Sequence, residues 1–350
     1  MNYIREKLLL DDLHNNDMLG QGVTIAILDT GIYPHIDFLL KRNRLVDFID
    51  IAQLNNINIK SKSTLATISQ YNNLYAHIQS ERSDKNTIIN SIVDVTSSDF
   101  DYETLIQLAK QPYDNNGHGT AVAGILCGSG LVSNDKYKGV APLSKICAIK
   151  AINDNGEGEG KNILLGMQYI FDNIASLGIK IACMSFGSNI IDPDPFILGA
   201  EALWNSGVVV VASSGNDGPE QKTIKSPAAS PKILAVGGID YDELGKPFVT
   251  KFSSRGPFGK FTRPDIVAPA VKITTTNKVG NYQPMSGTSM AAPIVAGIVA
   301  CILSKYPNYT PDKIKELLIT NTIVVDDNKN ASGNGLIDIP KLLNKLPKKY

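Results

Sequence analysis

Val23-Thr24-Ile25-Ala26-Ile27-Leu28-Asp29-Thr30-Gly31 is the stretch on which the fold turns. Positions 23–28 carry β-branched and aliphatic side chains with no polar alternation, the pattern of a strand buried on both faces rather than one. Similar runs occur at Lys145–Lys150, Ile179–Met184, 208–212 and 233–236, each followed by a Gly-containing loop and then a helical pattern. Helices are predicted over His118–Cys127, 162–176, 195–206, Thr288–Lys305 and Pro311–Thr320. The last has Thr310 at the capping position and Pro311 at the first helical one. Strands of this kind alternating with amphipathic helices give an α/β class: a mostly parallel central sheet covered by helices on both faces.

A chain of 350 residues divides into two domains at ~150 residues each, yet α/β folds often carry this length as one. The rhythm fits a single domain, 1–350, with one interruption. Residues 51–110 are rich in Asn, Ser, Gln and Asp, poor in apolar periodicity and far longer than a usual connection. They read as a polar insertion, a surface excursion near the cleft, with weak helical patterns at 74–78 and 102–110.

With 43% hydrophobic and 19% charged residues, the chain has enough apolar surface for a large core, which excludes disorder for most of it. Lys+Arg and Asp+Glu are 34 each, so the formal charge is zero. No long basic run supplies the electrostatic footprint that nucleic acid or an anionic membrane surface needs, and neither is expected as a partner. No 18 apolar residues run together; the most apolar stretch, 291–303, reads as a buried helix. At the start, Leu8-Leu9-Leu10 is followed at once by Asp11 and Asp12, so no secretion signal is visible. Cys127, Cys147, Cys183 and Cys301 sit inside apolar segments without a CxxC pair or a nearby His. They read as reduced core residues, and a cytoplasmic location is expected.

Four segments carry chemistry. Asp29 places a carboxylate at the carboxyl edge of a buried parallel strand, where ligands bind in open α/β sheets; the plain alternative is an Asp capping its own turn. His118, in Asn116-Gly117-His118-Gly119-Thr120, is flanked by glycines that let another chain segment approach closely, although a His near a helix start is often only a solvated polar residue. Ser289 follows Gly287-Thr288 at the head of a long apolar helix. It is either an N-cap or a nucleophile whose own N–H, unpaired in the first turn, faces a developing oxyanion; Ser286 and Thr288 compete for the cap. Asn216, in Gly215-Asn216-Asp217-Gly218, is either a turn residue tolerating a left-handed backbone or an amide donor to an oxyanion.

Together these segments resemble the subtilisin-like serine proteases, the subtilase family. Asp29-Thr30-Gly31, Asn116 to Thr120 and Gly287-Thr288-Ser289-Met290-Ala291-Ala292-Pro293 look like the family's Asp, His and Ser motifs, in the family's chain order, and Asn216 matches its oxyanion asparagine. Gly139-Val140-Ala141-Pro142, Ser185-Phe186-Gly187, Phe252-Ser253-Ser254-Arg255-Gly256-Pro257 and Arg263-Pro264-Asp265 extend the likeness over about Gly20 to Asp338. Ile32-Tyr33-Pro34-His35 and Tyr113-Asp114-Asn115-Asn116, with the missing secretion signal, are most similar to bacterial intracellular subtilases. Secreted members carry a folding-assisting pro-domain, whereas only some twenty residues precede Val23. His118 also lies 89 residues beyond Asp29, much farther than is usual in the family.

The resemblance implies a subtilisin-like three-layer fold and a serine endopeptidase with Asp29, His118 and Ser289 as triad and Asn216 in the oxyanion hole. It also implies an extended peptide substrate lying between Ser185, Phe186 and Gly187 on one side and the loop with Gly156 and Gly158 on the other. The biological role reads either as general intracellular proteolysis or as dedicated precursor or leader-peptide processing. A catalytically silent subtilase that only binds peptide or a partner is the alternative, and it conflicts with an intact triad. A nucleotide-binding protein is set aside, because Asp29-Thr30-Gly31-Ile32 is not a Gly-rich fingerprint. No cofactor is required. Family members often bind calcium in loops, but 129–138 offers only Asp135 as a carboxylate, so no metal site is assigned. Aligned with the floor of the pocket for the residue before the cleaved bond, Lys225 reads as a solvated side chain passing the pocket. Pointing inward, it would need a carboxylate from the substrate, while Asp217 at the rim would favour basic residues.

Overall fold

The computed structural model describes residues 1–39, 43–51 and 111–347. Apart from Ile51, the polar insertion and both helical patterns drawn through it lie outside the described residues. The strands are β1 (Thr24–Asp29), β2 (Leu45–Asp50), β3 (Lys145–Lys150), β4 (Ile179–Met184), β5 (Val209–Ser213), β6 (Leu234–Tyr241), β7 (Pro247–Val249), β8 (Ile266–Pro269), β9 (Ile273–Thr276), β10 (Tyr282–Met285), β11 (Thr322–Ile323) and β12 (Leu336–Ile337). The helices that matter for the site and its support are α1 (Asn2–Leu8), α2 (Leu10–Asn15), α3 (His118–Cys127), α4 (Gly160–Asp172), α5 (Pro195–Asn205), α6 (Thr288–Lys305), α7 (Pro311–Thr320) and α8 (Ile339–Lys345).

One sheet runs β11-β12-β8-β6-β5-β4-β1-β3-β2, with β7 on the side of β6, while β9 and β10 form a separate hairpin. Pairing is parallel from β2 through to β12, and antiparallel only where β7 and β11 join. The chain moves outward from β1 to β2, returns through β3, then adds β4 on the other side of β1. Strand order therefore reverses at β1, and the crevice that such a reversal opens lies at the carboxyl end of that strand. Asp29 stands there.

Helices cover both faces. On one, α3 and α6 pack together, α3 over β1 and α6 across β4, β5, β6 and β8; on the other, α4 contacts β1 and α5 contacts β5. Alternation along β1 sends neighbours to opposite layers. A Cβ on Gly166 of α4 would lie 2.3 Å from Leu28 Cδ1, and one on Gly119 of α3 would lie 3.2 Å from Asp29 Cβ. α6 is apolar all round and almost wholly buried, the expected fate of a helix with no polar face. It is long and apolar enough to span a bilayer by composition, yet here it is the core of the molecule. The four cysteines are free and buried.

Sequence and structure differ at margins. β6 extends to Tyr241, and the helix expected over 162–176 starts at Gly160 and stops at Asp172. The Asn173 side chain folds back onto the Tyr169 carbonyl, 2.9 Å away, and a separate turn of helix, Ile174–Leu177, follows. β2 was not foreseen, because half of it faces solvent at the sheet edge. Helices α1 and α2, also unforeseen, bury Ile4, Leu8, Leu10 and Leu13.

Candidate active site

Asp29 is fully buried at the end of β1. Its Oδ1 accepts the Thr30 N–H at 2.8 Å and lies 2.7 Å from His118 Nδ1. A carboxylate can only accept, so the proton sits on Nδ1 and Nε2 keeps its lone pair free. Burial alone pulls the His118 imidazole down; the Asp29 charge, the Asp29 hydrogen bond and the more distant Asp114 charge pull it up, and the outcome is a rise above the ordinary value of 6.5.

What holds the imidazole there is the loop before α3. Asp114, 3% exposed, accepts at Oδ1 from Gly117 N (2.7 Å), Thr30 Oγ1 (3.0 Å) and Asn116 N (3.2 Å). Its Oδ2 accepts from Thr120 N (2.9 Å) and Thr120 Oγ1 (2.6 Å). One carboxylate thus satisfies orphan amides at the α3 N-terminus, where the helix dipole favours negative charge, and ties that terminus to the residue after Asp29. Gly119 N–H donates to Thr30 Oγ1 at 2.9 Å. A side chain at 119 is excluded, since its Cβ would sit 2.2 Å from the Gly31 carbonyl oxygen.

Ser289 occupies the first turn of α6, but the cap position belongs to Gly287 (φ 139°), which makes no side-chain cap. Neither Ser286, whose hydroxyl accepts from Lys272 N at 2.9 Å, nor Ser289 fills it. The cap comes from elsewhere: Asn216 Oδ1 accepts Thr288 N at 2.9 Å and Thr288 Oγ1 at 3.0 Å. Because an amide N–H can only donate, the oxygen must face Thr288, and the Nδ2 end of Asn216 is left to donate toward the space beside Gly287. Pro293, inside α6, has no N–H to give the carbonyl four residues back. That carbonyl belongs to Ser289, and it accepts instead from Ser185 Oγ at 3.0 Å, while Ser289 Oγ donates to Ser185 O at 2.9 Å. A reciprocal pair thereby pins the end of β4 to the head of α6.

The structure thus joins His118 to Asp29 and Asn216 to the residue before Ser289. It pairs the Ser289 hydroxyl with Ser185 O rather than with His118. Ser185 is buried, Phe186 half-buried and Gly187 exposed. Gly156 (φ 84°) and Gly158 lie in a tight hairpin closed by an Ile152–Gly158 bridge. Asn115 Nδ2 to Asp154 Oδ2 (2.8 Å) and Asn116 Nδ2 to Asp154 O (3.1 Å) tie that hairpin to the His118 loop. Lys225 is not the solvated side chain expected. It is 19% exposed and pairs with Asp217, and its Nζ donates to Asn189 Oδ1 at 2.7 Å. Among the described residues no cluster of three or more His, Cys, Asp or Glu could hold a metal ion.

Sequence reasoning passed over Asp114 as a working residue and read Thr288 only as a competitor for the helix cap. A carboxylate just ahead of a predicted helix start is a capping signal that marks Asp114. Nothing local marks the bond of Thr288 to Asn216, which reaches it from 72 residues away.

Buried carboxylate, imidazole with a free Nε2, hydroxyl on a helix head and amide donor beside it form a set suited to acyl transfer. The chain that carries this set is similar to known proteins along most of its length. The chain is 33% identical to serine protease AprX of Bacillus subtilis (strain 168) over 92% of its own length, and covers 66% of that relative. It is 33% identical to subtilisin DY of Bacillus licheniformis, covering 65% of this chain and 77% of the relative. The structure of sphericase superposes with a TM-score of 0.69 at 26% identity, over 94% of this chain and 97% of that one. Since the subtilase family model matches residues 20–337, nearly the whole span that carries these motifs, the chain belongs to the subtilase family.

Proposed function

We propose that this chain is a serine endopeptidase that hydrolyses peptide bonds through an acyl-enzyme, with Ser289 as nucleophile, His118 as general base and then acid, and Asp29 as the group that orients the imidazole. The observation that carries this reading is the 2.7 Å contact between His118 Nδ1 and a wholly buried Asp29, which fixes the tautomer whose Nε2 accepts a proton. A serine hydroxyl is a weak nucleophile at neutral pH, so the reaction begins when Ser289 Oγ turns from Ser185 O to His118 Nε2. As Oγ bonds to the scissile carbonyl carbon, its proton passes to Nε2, and Asp29 stabilises the imidazolium. The oxyanion takes hydrogen bonds from Asn216 Nδ2 and the Ser289 N–H. Collapse expels the amine, which receives the proton from Nε2, and water then releases the acyl group by the same steps in reverse.

Peptide is taken up in extended form between Ser185, Phe186 and Gly187 and the hairpin of Gly156 and Gly158, adding a strand by main-chain hydrogen bonds. The chemistry calls for no cofactor. For the biological role, general turnover and dedicated processing of a precursor, in the cytoplasm, are the two settings proposed. A fluorophosphonate probe tests the central claim: it labels Ser289 and no other serine, and Ser289→Ala abolishes both labelling and peptide hydrolysis. Labelling that survives the substitution refutes the assignment.

A further inference from the structure

Lys150 ends β3 beside Asp29, its register partner on β1, and is 2% exposed, a buried charge that the proposed reaction does not use. An ammonium has three N–H donors and no acceptor, and here each donor has its own partner. Nζ donates to Thr30 O at 2.8 Å, to Ile152 O at 3.2 Å and to Asp154 Oδ1 at 2.7 Å. It also stands 5.2 Å from the centroid of the Tyr113 ring, within the range of a cation–π contact. Thr30 is itself a junction, since its N–H donates to Asp29 Oδ1 and its hydroxyl to Asp114 Oδ1. The carbonyl that Lys150 holds therefore belongs to the residue that already links Asp29 to the His118 loop.

Asp154 lies in the hairpin that carries Gly156 and Gly158. Around its turn that hairpin bonds to itself: Asn153 Oδ1 accepts Asn155 N and Glu157 N, each at 3.0 Å, and Asn153 N donates to Glu157 O at 2.9 Å. Toward the body it is held through Asp154, whose Oδ1 takes Lys150 and whose Oδ2 takes Asn115 Nδ2 at 2.8 Å. A self-bonded hairpin moves as a unit, so its distance from Asp29 is set where it is anchored. Apolar side chains of similar volume often stabilise a fold as well as a buried ion pair does, so stability alone does not account for a lysine here. An apolar side chain could not draw the carbonyl after β1, the carbonyl at the hairpin base and a hairpin carboxylate to one point.

We infer that Lys150 is a positioning residue for peptide hydrolysis: through Asp154 it locks the hairpin that takes up the substrate strand at a fixed distance from Asp29 and His118, and so sets the scissile bond of a long peptide against Ser289. The inference rests on the peptidase reading proposed above. Two substrates that share the residue before the cleaved bond measure it, a quenched peptide long enough to run along the hairpin and an acylated single-residue ester that ends short of it. Wild type, Lys150→Met, Asp154→Ala and the double variant are each titrated with the fluorophosphonate probe, so that kcat/KM refers to competent sites. The peptide-to-ester ratio of kcat/KM is expected to fall roughly tenfold to 10²-fold in each single variant, the scale of a ~1 Å misplacement of bound substrate, with KM for the peptide rising. Because the two side chains form one tie, the double variant falls no further than Lys150→Met. A lysine that only supports the fold gives a different result: a lower thermal midpoint, with peptide and ester reduced alike. An unchanged ratio in either single variant overturns the inference, as does a double variant whose loss is the product of the two single losses. The Asp154 side chain is 46% exposed, and its removal leaves Lys150 bonded to Thr30 O and Ile152 O, so Asp154→Ala keeps the test alive even if Lys150→Met fails to fold. A wild-type protein that takes no probe and cuts neither substrate overturns the underlying reading instead, so the two failures are distinguishable.

Discussion

Asn216 caps α6 with one end of its amide, and the role proposed for the other end can be separated from it. Oδ1 caps α6 through Thr288, and Nδ2 is the proposed oxyanion donor. Asn216→Asp keeps an acceptor toward Thr288 but loses the donor. It is expected to leave thermal stability nearly unchanged while lowering kcat on the order of 10² to 10³, the general cost of one oxyanion donor. Asn216→Ala loses both, adding about 0.5–2 kcal/mol of destabilisation from the lost cap. Calorimetry and steady-state kinetics on the two variants check this; equal melting temperatures for both would show that the cap is idle. At His118 the sign of the pH effect follows from its raised pKa. As the proposed base, His118 works when neutral, so activity is expected to appear as pH rises through a value above the ordinary 6.5, with the acid limb of kcat/KM higher than for a free imidazole. The stability that the Asp29–His118⁺ pair contributes has the opposite sense: it is fully present below 6.5 and fades as pH climbs through the folded value. Asp29→Asn removes the upward pull, so whatever activity remains shows its acid limb at lower pH. A limb that does not move refutes the coupling.

Among the elements, α3 shows most plainly how sequence became site. Its bounds were legible because small residues and a glycine pair mark its start, and Thr288–Lys305 and Pro311–Thr320 were legible from apolar length and from a Thr-Pro cap. The strands closest to the site were equally plain, since continuous aliphatic runs have few other uses. Half-exposed or very short strands such as β2, β11 and β12 carry no such signature, and Ile273–Thr276 is three-quarters threonine with side chains spent on α3: Thr275 Oγ1 bonds Ala121 O and Thr276 Oγ1 bonds Thr120 O, each at 2.8 Å. Nor could the sequence say that Asp114, beyond the capping signal that marks it, also ties α3 to the residue after Asp29. Asp114 accepts its five hydrogen bonds while buried, so Asp114→Ala leaves the Gly117 and Thr120 amides without a partner. That is expected to destabilise by about 2–6 kcal/mol, at 1–3 kcal/mol for each group left unsatisfied, and to cut activity in the molecules that still fold, because His118 rides on the same turn. Denaturant unfolding with probe titration checks both. A variant with unchanged midpoint would mean that water replaces the carboxylate without loss.

Across the whole molecule, the residues of the site come from four places in the chain, at 29, 118, 216 and 289, and none is assembled by its neighbours in sequence. Asp29 is placed by β1, His118 by α3, Asn216 by the loop after β5 and Ser289 by α6, so the geometry exists only when the sheet and the α3–α6 layer are docked. Identity of the four was legible from their motifs, but the links between them were not, because each link is a long-range contact made after folding. Such a site is expected to be lost with the global fold rather than before it, and a buried ionic cluster in the β5–β8 half of the sheet offers a lever. Arg263, 1% exposed, donates to Ala228 O at 2.9 Å through Nε and to Asp265 Oδ2 at 2.5 Å through Nη1, and Lys315 reaches Asp265 Oδ1 at 3.0 Å. These contacts tie the segment after β5 to β8 and α7. Arg263→Ala leaves the Asp265 carboxylate short of a partner and the Ala228 carbonyl unbonded, and truncating one member of a buried pair costs about 3–5 kcal/mol. The thermal midpoint should fall by several degrees, and the temperature at which heating abolishes peptidase activity should fall by the same amount. Activity per probe-titrated site below the transition should stay within about twofold of wild type, since Arg263 touches none of the reacting groups. An activity midpoint that drops while the tertiary signal from near-UV dichroism stays put would show that the site opens on its own, with the α3–α6 layer separating from a sheet that remains folded.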